Sequence, residues 1–299
     1  FKMKISKLIL VLILSVSSLI NIAQTNERVL KNPLFVFNNG LNKKDLPFIS
    51  FEEQASILKR YEFDGIEHRE TPKILELKEA LEKQGLKLYA DYVKIDIDQK
   101  EHYLPDWKEV IPKLKGTDMI LWCHLHSEKY KPSDEAADTL IVPVIRELAD
   151  FAKHYGIKLA IYPHIGFLAA KVEDSYRIAQ KVNRENVGAV FNLCHFLRTD
   201  SEENIEKVIN LIFPKLFAVS ICGANSGDTQ NMDWDQLIQP LGKGTFDTYR
   251  LVEFLAEKGY DGPIGLQCFD LKGDPEIYLS QSGDAWKLFK NRYSKPLNS

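Results

Sequence analysis

Two patterns of apolar residues alternate along the chain. Short continuous apolar runs predict buried strands, and longer segments with apolar residues every three or four positions predict amphipathic helices. The runs that predict strands are eight in number and span residues 33–37, 63–68, 87–93, 119–126, 158–162, 187–191, 216–222 and 263–269. Eight strands alternating with helices over about 270 residues predict a single-domain (β/α)₈ TIM barrel. An open doubly wound sheet is the alternative, but no glycine-rich phosphate loop follows the first run to favour it.

Capping residues predict where several helices begin and end. Ser50, with Glu53 three positions later, predicts a helix start, and Pro72 predicts another at the first turn of the second helix. Ser133 is expected to cap a long helix that ends before Gly156. Further helices are predicted for residues 246–258 and 275–293.

The central stretch, residues 158–195, predicts a strand, a helix and a strand, and each strand ends in a small polar cluster. His164 follows the first strand and His195 follows the second. Parallel strands expose their ligand-facing groups at their carboxyl ends, so the two imidazoles are expected to face one crevice as an acid–base pair. The alternative is that each ring only forms a hydrogen-bonded cap at its strand end.

Other strand ends supply further candidates. Glu67 is expected to orient or assist the histidines, since it ends the second strand. Alternation along the fourth strand predicts that His124 and His126 point the same way. Lys243, between two glycines, is either a contact for an anionic group or a solvated turn residue. The residues predicted to bind substrate are Asn192, Gln267, His126, Tyr162 and Lys243.

The amino end has a different character. Three lysines precede the apolar run 8–14, and Ala23 follows as a small residue. This pattern predicts a secretory signal peptide over residues 1–23, a polar lead-in over 24–32 and the barrel over 33–299. A secreted or periplasmic protein with no membrane attachment after cleavage is expected. An uncleaved anchor is the alternative.

Composition excludes some classes of function. The 299 residues are 44% hydrophobic and carry a formal charge of -3. Removal of the three lysines of residues 1–23 would make it -3 - 3 = -6. No basic run interleaved with aromatics indicates nucleic-acid binding. The four cysteines lack metal-clip spacing, so buried free thiols are expected.

Four motifs resemble the xylose isomerase-like TIM barrel superfamily, which includes sugar-phosphate isomerases and epimerases. They are residues 63–67, 158–195, 241–247 and 259–266. The resemblance implies a divalent metal held by a carboxylate after strand five, an Asp after strand six, a His on strand seven and a Glu after strand eight. The matching positions in this chain are Tyr162, Asn192, Ser220 and Gln267.

These four side chains are neutral, whereas hard divalent cations draw most of their binding energy from anionic oxygens. The usual metal site is therefore not expected. A zinc or manganese ion held by histidines is the alternative, with His124, His126, His164 and His195 as candidate ligands.

The sequence and the resemblance together predict an exported sugar isomerase- or epimerase-like enzyme. It would move a proton next to a carbonyl of a carbohydrate or keto-sugar, by isomerisation, epimerisation or elimination, with His164, His195 and Glu67 as catalytic groups. The alternative is a non-catalytic carbohydrate-binding barrel that has lost the metal site. Nuclease activity on abasic DNA is disfavoured by the acidic chain and the missing carboxylates.

Overall fold

The eight predicted strands form a closed parallel barrel in chain order. The computed structural model describes residues 28–43 and 46–295, so the predicted signal peptide lies outside the described residues. The strands are β1 Leu34–Val36, β2 Gly65–His68, β3 Lys87–Asp96, β4 Ile120–His126, β5 Lys158–Ile161, β6 Val187–Asn192, β7 Leu216–Ile221 and β8 Ile264–Leu266. Closure occurs where β1 pairs with β8, which leaves no open edge. The predicted TIM barrel is confirmed, and the doubly wound alternative is wrong.

Helices surround the barrel. Their bounds are α1 Phe51–Arg60, α2 Ile74–Lys83, α3 Trp107–Val110, α4 Asp138–Lys153, α5 Val172–Val182, α6 Leu193–Thr199, α7 Ile205–Ile212, α8 Trp234–Leu237, α9 Thr248–Glu257 and α10 Pro275–Tyr293. Short 3₁₀ segments occupy residues 38–40, 111–114, 135–137, 202–204, 213–215 and 229–231. In the part of the chain that the structure describes, no helix is both long and apolar enough to cross a bilayer.

Some predicted helix starts are right and others are displaced. The Ser50 hydroxyl accepts a hydrogen bond from the Glu53 amide, as expected for an N-cap. Ser133 was predicted to cap α4, and this is wrong: its backbone is left-handed (φ 62°) and its hydroxyl donates to Asp174. Asp134 instead caps the 3₁₀ segment before α4. Asp247 starts α9 because its carboxylate accepts from the Arg250 amide.

Aromatic rings fill the barrel interior. Phe35, Phe37, Trp122 and Tyr162 pack there against small residues such as Ala160 and Ala218. Gly265 on β8 makes room for them, because a Cβ at that position would lie 2.6 Å from the Phe37 ring. Large side chains on some strands are therefore matched by small ones on others, as close packing requires.

A second apolar layer lies between the strands and the helices, and the four cysteines are buried in it. All four thiols are free, which confirms the sequence expectation. Arg28 and Tyr293 lie close together at the amino face of the barrel. The Arg28 guanidinium lies 4.2 Å from the centre of the Tyr293 ring and pairs with Glu257 near the carboxyl end of α9.

Candidate functional site

A cavity of about 340 Å³ opens at the carboxyl ends of the barrel strands. Five residues predicted from the sequence line it: Glu67, Tyr162, His164, His195 and Gln267. The remaining lining residues are Phe37, Asn39, Arg69, Tyr92, Phe167, Trp234, Ile238 and Phe269. Polar groups thus converge within largely aromatic walls, which is the usual character of a small-molecule site.

Another cavity, of about 330 Å³, lies beside α7 and α9 and is lined by Glu202, Glu206, Asp247 and Arg250, among others. None of its lining residues is a histidine, and none belongs to a barrel strand. The barrel-end cavity is therefore the stronger candidate for chemistry.

His164 and His195 are neighbours in the cavity. Their ring centres are 4.0 Å apart, and the ring planes meet at 45°. His164 lies in the loop after β5, and His195 lies in the first turn of α6, directly after β6. The consecutive βα units therefore bring the two imidazoles together, as the sequence predicted.

Hydrogen bonding fixes the proton position on His164. Its Nδ1 lies 2.7 Å from the Ile165 carbonyl oxygen. A carbonyl only accepts, so Nδ1 carries the hydrogen and Nε2 is the free, basic nitrogen of the neutral ring. His195 Nδ1 is buried and has no hydrogen-bond partner among the described residues. Within the described ranges, each imidazole therefore has at least one nitrogen that forms no hydrogen bond to the protein.

Both imidazoles are held in the neutral form near pH 7. Burial lowers the pKa of His164 below its ordinary value, and burial together with the neighbouring His164 ring lowers the pKa of His195 well below it. A neutral imidazole accepts a proton, so this environment favours general bases over general acids.

Glu67 is the next-to-last residue of β2 and is almost completely buried, with 1% of its surface exposed. Its Oε2 accepts a hydrogen bond from the Asn38 amide at 2.7 Å, and the Arg69 Nε lies 3.8 Å from Oε1. Burial raises the pKa of Glu67 to about 7, although Arg69 and the Asn38 amide oppose the shift. The carboxyl is therefore divided between its protonated and ionised forms near neutral pH.

Asn192 lies below the cavity and contacts it through Tyr162. Its Nδ2 donates to the Tyr162 hydroxyl at 2.6 Å, and its Oδ1 accepts from the Cys194 thiol at 3.2 Å. Tyr162, 2% exposed, presents its ring to the cavity. Asn192 therefore reaches the cavity only through the phenol that it binds.

The carbonyl oxygen of Gln267 has three donors. Asn39 Nδ2 and the amides of Cys268 and Phe269 all lie within 3.0 Å of it. Ser220, which pairs with Asn192 across β6 and β7, is fully buried, and its hydroxyl has no partner among the described residues. The Gln267 oxygen is occupied, which leaves its amide nitrogen as the group available for a ligand.

The residues at the positions of the implied metal do not fit a divalent cation. The Tyr162 oxygen receives the Asn192 amide, and the Gln267 oxygen receives three N–H donors, so neither is a free anionic ligand. Across the described ranges, no group of three or more His, Cys, Asp or Glu side chains is arranged to hold a metal ion.

The other two histidines form a separate pair. His124 Nδ1 lies 2.5 Å from His126 Nε2, so the two side chains point the same way, as alternation along β4 predicted. The Phe167 ring lies between them and the pair formed by His164 and His195, with its centre 4.0 Å from the ring centres of both His126 and His164. Burial lowers the pKa of His124 to about 2 and that of His126 to about 4. The four rings therefore do not form one ligand set.

Three predicted substrate contacts lie off the cavity wall. Asn192 is beneath it, His126 is behind Phe167, and Lys243 is exposed in its turn. Arg69 is a lining residue that sequence reasoning missed, although its position just after β2 was a usable signal. Phe167 and Phe269 lie in irregular loops, where no periodicity indicated which way the rings would face.

The structure is thus an eight-stranded parallel barrel with paired imidazoles and a buried carboxyl at its strand ends, which is where barrels of this fold usually carry their small-molecule sites. Residues 55–287 match the family described as xylose isomerase-like TIM barrel, and the chain belongs to that family. The resemblance found in the sequence is thereby confirmed.

Curated relatives are similar over part of the chain. It is 28% identical to an inosose isomerase of Halalkalibacterium halodurans over 153 residues, which are 50% of this chain and about half (51%) of that protein. It is 27% identical to an inosose isomerase of Bacillus subtilis over 205 residues, 64% of this chain and 69% of that one. D-psicose 3-epimerase of Clostridium cellulolyticum, solved with D-tagatose, superposes with a TM-score of 0.66 at 15% identity, covering 88% of this chain and 100% of that one.

Proposed function

We propose that this protein moves a proton next to a carbonyl of a carbohydrate or keto-sugar, by isomerisation, epimerisation or elimination. The observation that carries the proposal is a cavity lined by two neutral imidazoles, with ring centres 4.0 Å apart, and by the Glu67 carboxyl, whose pKa burial raises to about 7. The names of the relatives, inosose isomerases and a keto-sugar epimerase, support the same class of chemistry.

The site supplies both a proton acceptor and a proton donor. His164 Nε2 takes the proton from the carbon beside the carbonyl, and the electrons of the broken C–H bond form a carbon–carbon double bond as the carbonyl oxygen gains negative charge. Protonated Glu67 can return a proton, and His195 can exchange one with His164. Groups with pKa values near or below the working pH suit this exchange in both directions.

The walls suit a sugar ring. Phe167, Trp234 and Phe269 present aromatic surface on which the C–H face of a sugar can stack, and the Gln267 amide nitrogen can donate to one of its hydroxyls. The cavity volume of about 340 Å³ is at the lower end of the usual range for ligand sites, which fits a monosaccharide or cyclitol.

Exchange of solvent deuterium into a bound sugar tests the proposal. D-tagatose and an inosose would be incubated with the full chain in D₂O and followed by NMR. Substitution of either imidazole, His164→Ala or His195→Ala, should slow exchange by about 10²–10⁴-fold, the usual contribution of a general base. The matched control is His154→Ala, since His154 is exposed on the outside of the barrel. Unchanged exchange in both cavity variants would remove the proposal.

A non-catalytic carbohydrate-binding barrel is the second candidate. It is favoured by the neutral side chains at the four positions implied to hold a metal, of which Tyr162, Asn192 and Gln267 are hydrogen-bonded within the protein. A binder would show saturable affinity for a sugar by calorimetry with no deuterium incorporation, whereas an enzyme shows both.

Export is also proposed, on the basis of the signal-like pattern of residues 1–23. Amino-terminal sequencing of the protein from a periplasmic or culture fraction would test it, with cleavage near Ala23 as the expected result. An intact amino end in the cytosolic fraction would contradict it.

A further inference from the structure

The hydrogen bonds around Tyr162 have a defined direction. The Cys194 thiol donates to Asn192 Oδ1, which sets the amide so that its Nδ2 faces Tyr162. That nitrogen carries only hydrogens and cannot accept, so the phenol oxygen is the acceptor at 2.6 Å. The Tyr162 hydroxyl hydrogen is therefore left for another partner.

No side chain or carbonyl in the described part of the chain accepts that hydrogen, and Tyr162 lines the cavity. Its ring is fixed by packing, stacked on Trp122 at 5.3 Å and edge-on to Tyr92 at 4.9 Å. Burial raises the pKa of Tyr162 well above its usual value, so the phenol stays protonated. The result is a preorganised neutral donor on a ring whose centre lies 6.4 Å from that of the His195 ring.

We propose, resting on the proposed function, that the Tyr162 hydroxyl donates a hydrogen bond to the reacting oxygen of the sugar in place of a cation. As His164 removes the proton from carbon, negative charge develops on the carbonyl oxygen, and a fixed donor stabilises it. The phenol keeps its proton, and Asn192 acts as a positioning residue by donating to the other side of the phenol oxygen. The site then needs no metal.

Two substitutions test the direction of this hydrogen bond. Tyr162→Phe keeps the ring and removes the donor. Asn192→Asp keeps the shape but replaces the amide N–H with a carboxylate oxygen, which would accept the Tyr162 hydrogen and withdraw it from the sugar. Both should slow deuterium exchange by about 10²-fold or more while the affinity for D-tagatose changes much less. Tyr260→Phe is the control, because it also removes a buried phenol hydroxyl, one that donates to the Pro263 carbonyl outside the site.

A merely structural role for Asn192 would predict a different result. The nearly isosteric Asn192→Asp would then retain most of its exchange rate, whereas Tyr162→Phe would lose stability rather than rate. Exchange at the wild-type rate in folded Tyr162→Phe overturns the inference and leaves the proposed function intact, provided that His164→Ala is slow.

The inference that the site needs no metal is tested by a separate measurement. Calorimetric titration of the full chain with Mn²⁺ or Zn²⁺ should show no stoichiometric site in the cavity, and EDTA should leave the exchange rate unchanged. A rate that is lost with EDTA and restored by Mn²⁺ would overturn the inference. If the wild type binds D-tagatose without exchange, the proposed function fails. In that case, about ten-fold weaker binding of D-tagatose by Tyr162→Phe would support the role of the Tyr162 hydroxyl as a donor, and unchanged binding would refute it.

Discussion

Replacement of Glu67 by glutamine should stabilise the protein at neutral and alkaline pH while it impairs function. The folded state raises the pKa of this carboxyl from 4.5 to about 7, mainly by burial. A raised pKa means that the folded state holds the proton more tightly than the unfolded state does. The associated stability is fully present below pH 4.5 and is lost as the pH rises through 7.

The shift of about 2.5 pKa units corresponds to about 3 kcal/mol at 1.36 kcal/mol per unit. Between pH 5 and pH 8 the free energy of unfolding of the wild type should therefore fall by about 2.5 kcal/mol relative to that of Glu67→Gln. Glutamine keeps an oxygen to accept from the Asn38 amide, so that contact survives. The substitution removes the cost of an ionised, buried carboxylate together with its attraction to Arg69, and the pKa of about 7 reflects the balance of the two.

Urea unfolding at pH 5, 6, 7 and 8, monitored by circular dichroism, would measure this difference. The control is Glu79→Gln on α2, where the side chain is 71% exposed and little desolvation occurs. Deuterium exchange would be measured on the same samples and should be slower in Glu67→Gln. A difference between wild type and Glu67→Gln that stays constant across this pH range would refute the reasoning, because it would show that the folded state does not perturb Glu67.

Three further outcomes are expected. The rate of deuterium exchange should decline above about pH 7 as Glu67 ionises, and Glu67→Gln should lack this decline. The rate should also decline at acidic pH, below the usual titration range of histidine, as His164 becomes protonated, and a flat profile would count against both assignments. Gly65→Ala should lower the urea midpoint far more than Gly85→Ala, because a Cβ at residue 65 would lie 1.8 Å from the Lys87 carbonyl oxygen. A Cβ at residue 85 meets nothing within 4 Å, so Gly85→Ala costs only the strain of its positive φ, about 1 kcal/mol, and equal midpoints would contradict the prediction. A thiol reagent should titrate no cysteine in the native protein and four after unfolding, because all four are buried and free; rapid reaction in the native state would show otherwise.

The strands could be predicted because each is a continuous apolar run bounded by polar residues, and burial on both faces leaves that pattern in any parallel barrel. Barrel closure followed from their number and from the intervening helices. Helix starts were less reliable. Ser50 acts as the expected cap, but Ser133 has a left-handed backbone and bonds to Asp174, a contact 41 residues away that no local pattern carries.

The site likewise has features that follow from the order of strands along the chain and features that depend on tertiary packing. Glu67, His164 and His195 meet in one cavity because strand ends converge, and this could be expected from chain order alone. Their catalytic roles remain predictions. The Phe167 ring that separates His126 from His164, and the thiol that orients Asn192, depend on rotamers set by tertiary packing. Sequence spacing contains no information about either.

The contact between Arg28 and Tyr293 has a practical consequence for engineering. The carboxyl end of α9 lies at the amino face of the barrel, opposite the cavity. Because Arg28 pairs with Glu257 there and contacts Tyr293, residues 28 and 293 lie together on that face. Immobilisation on a solid support through this face would leave the mouth of the cavity open to solution.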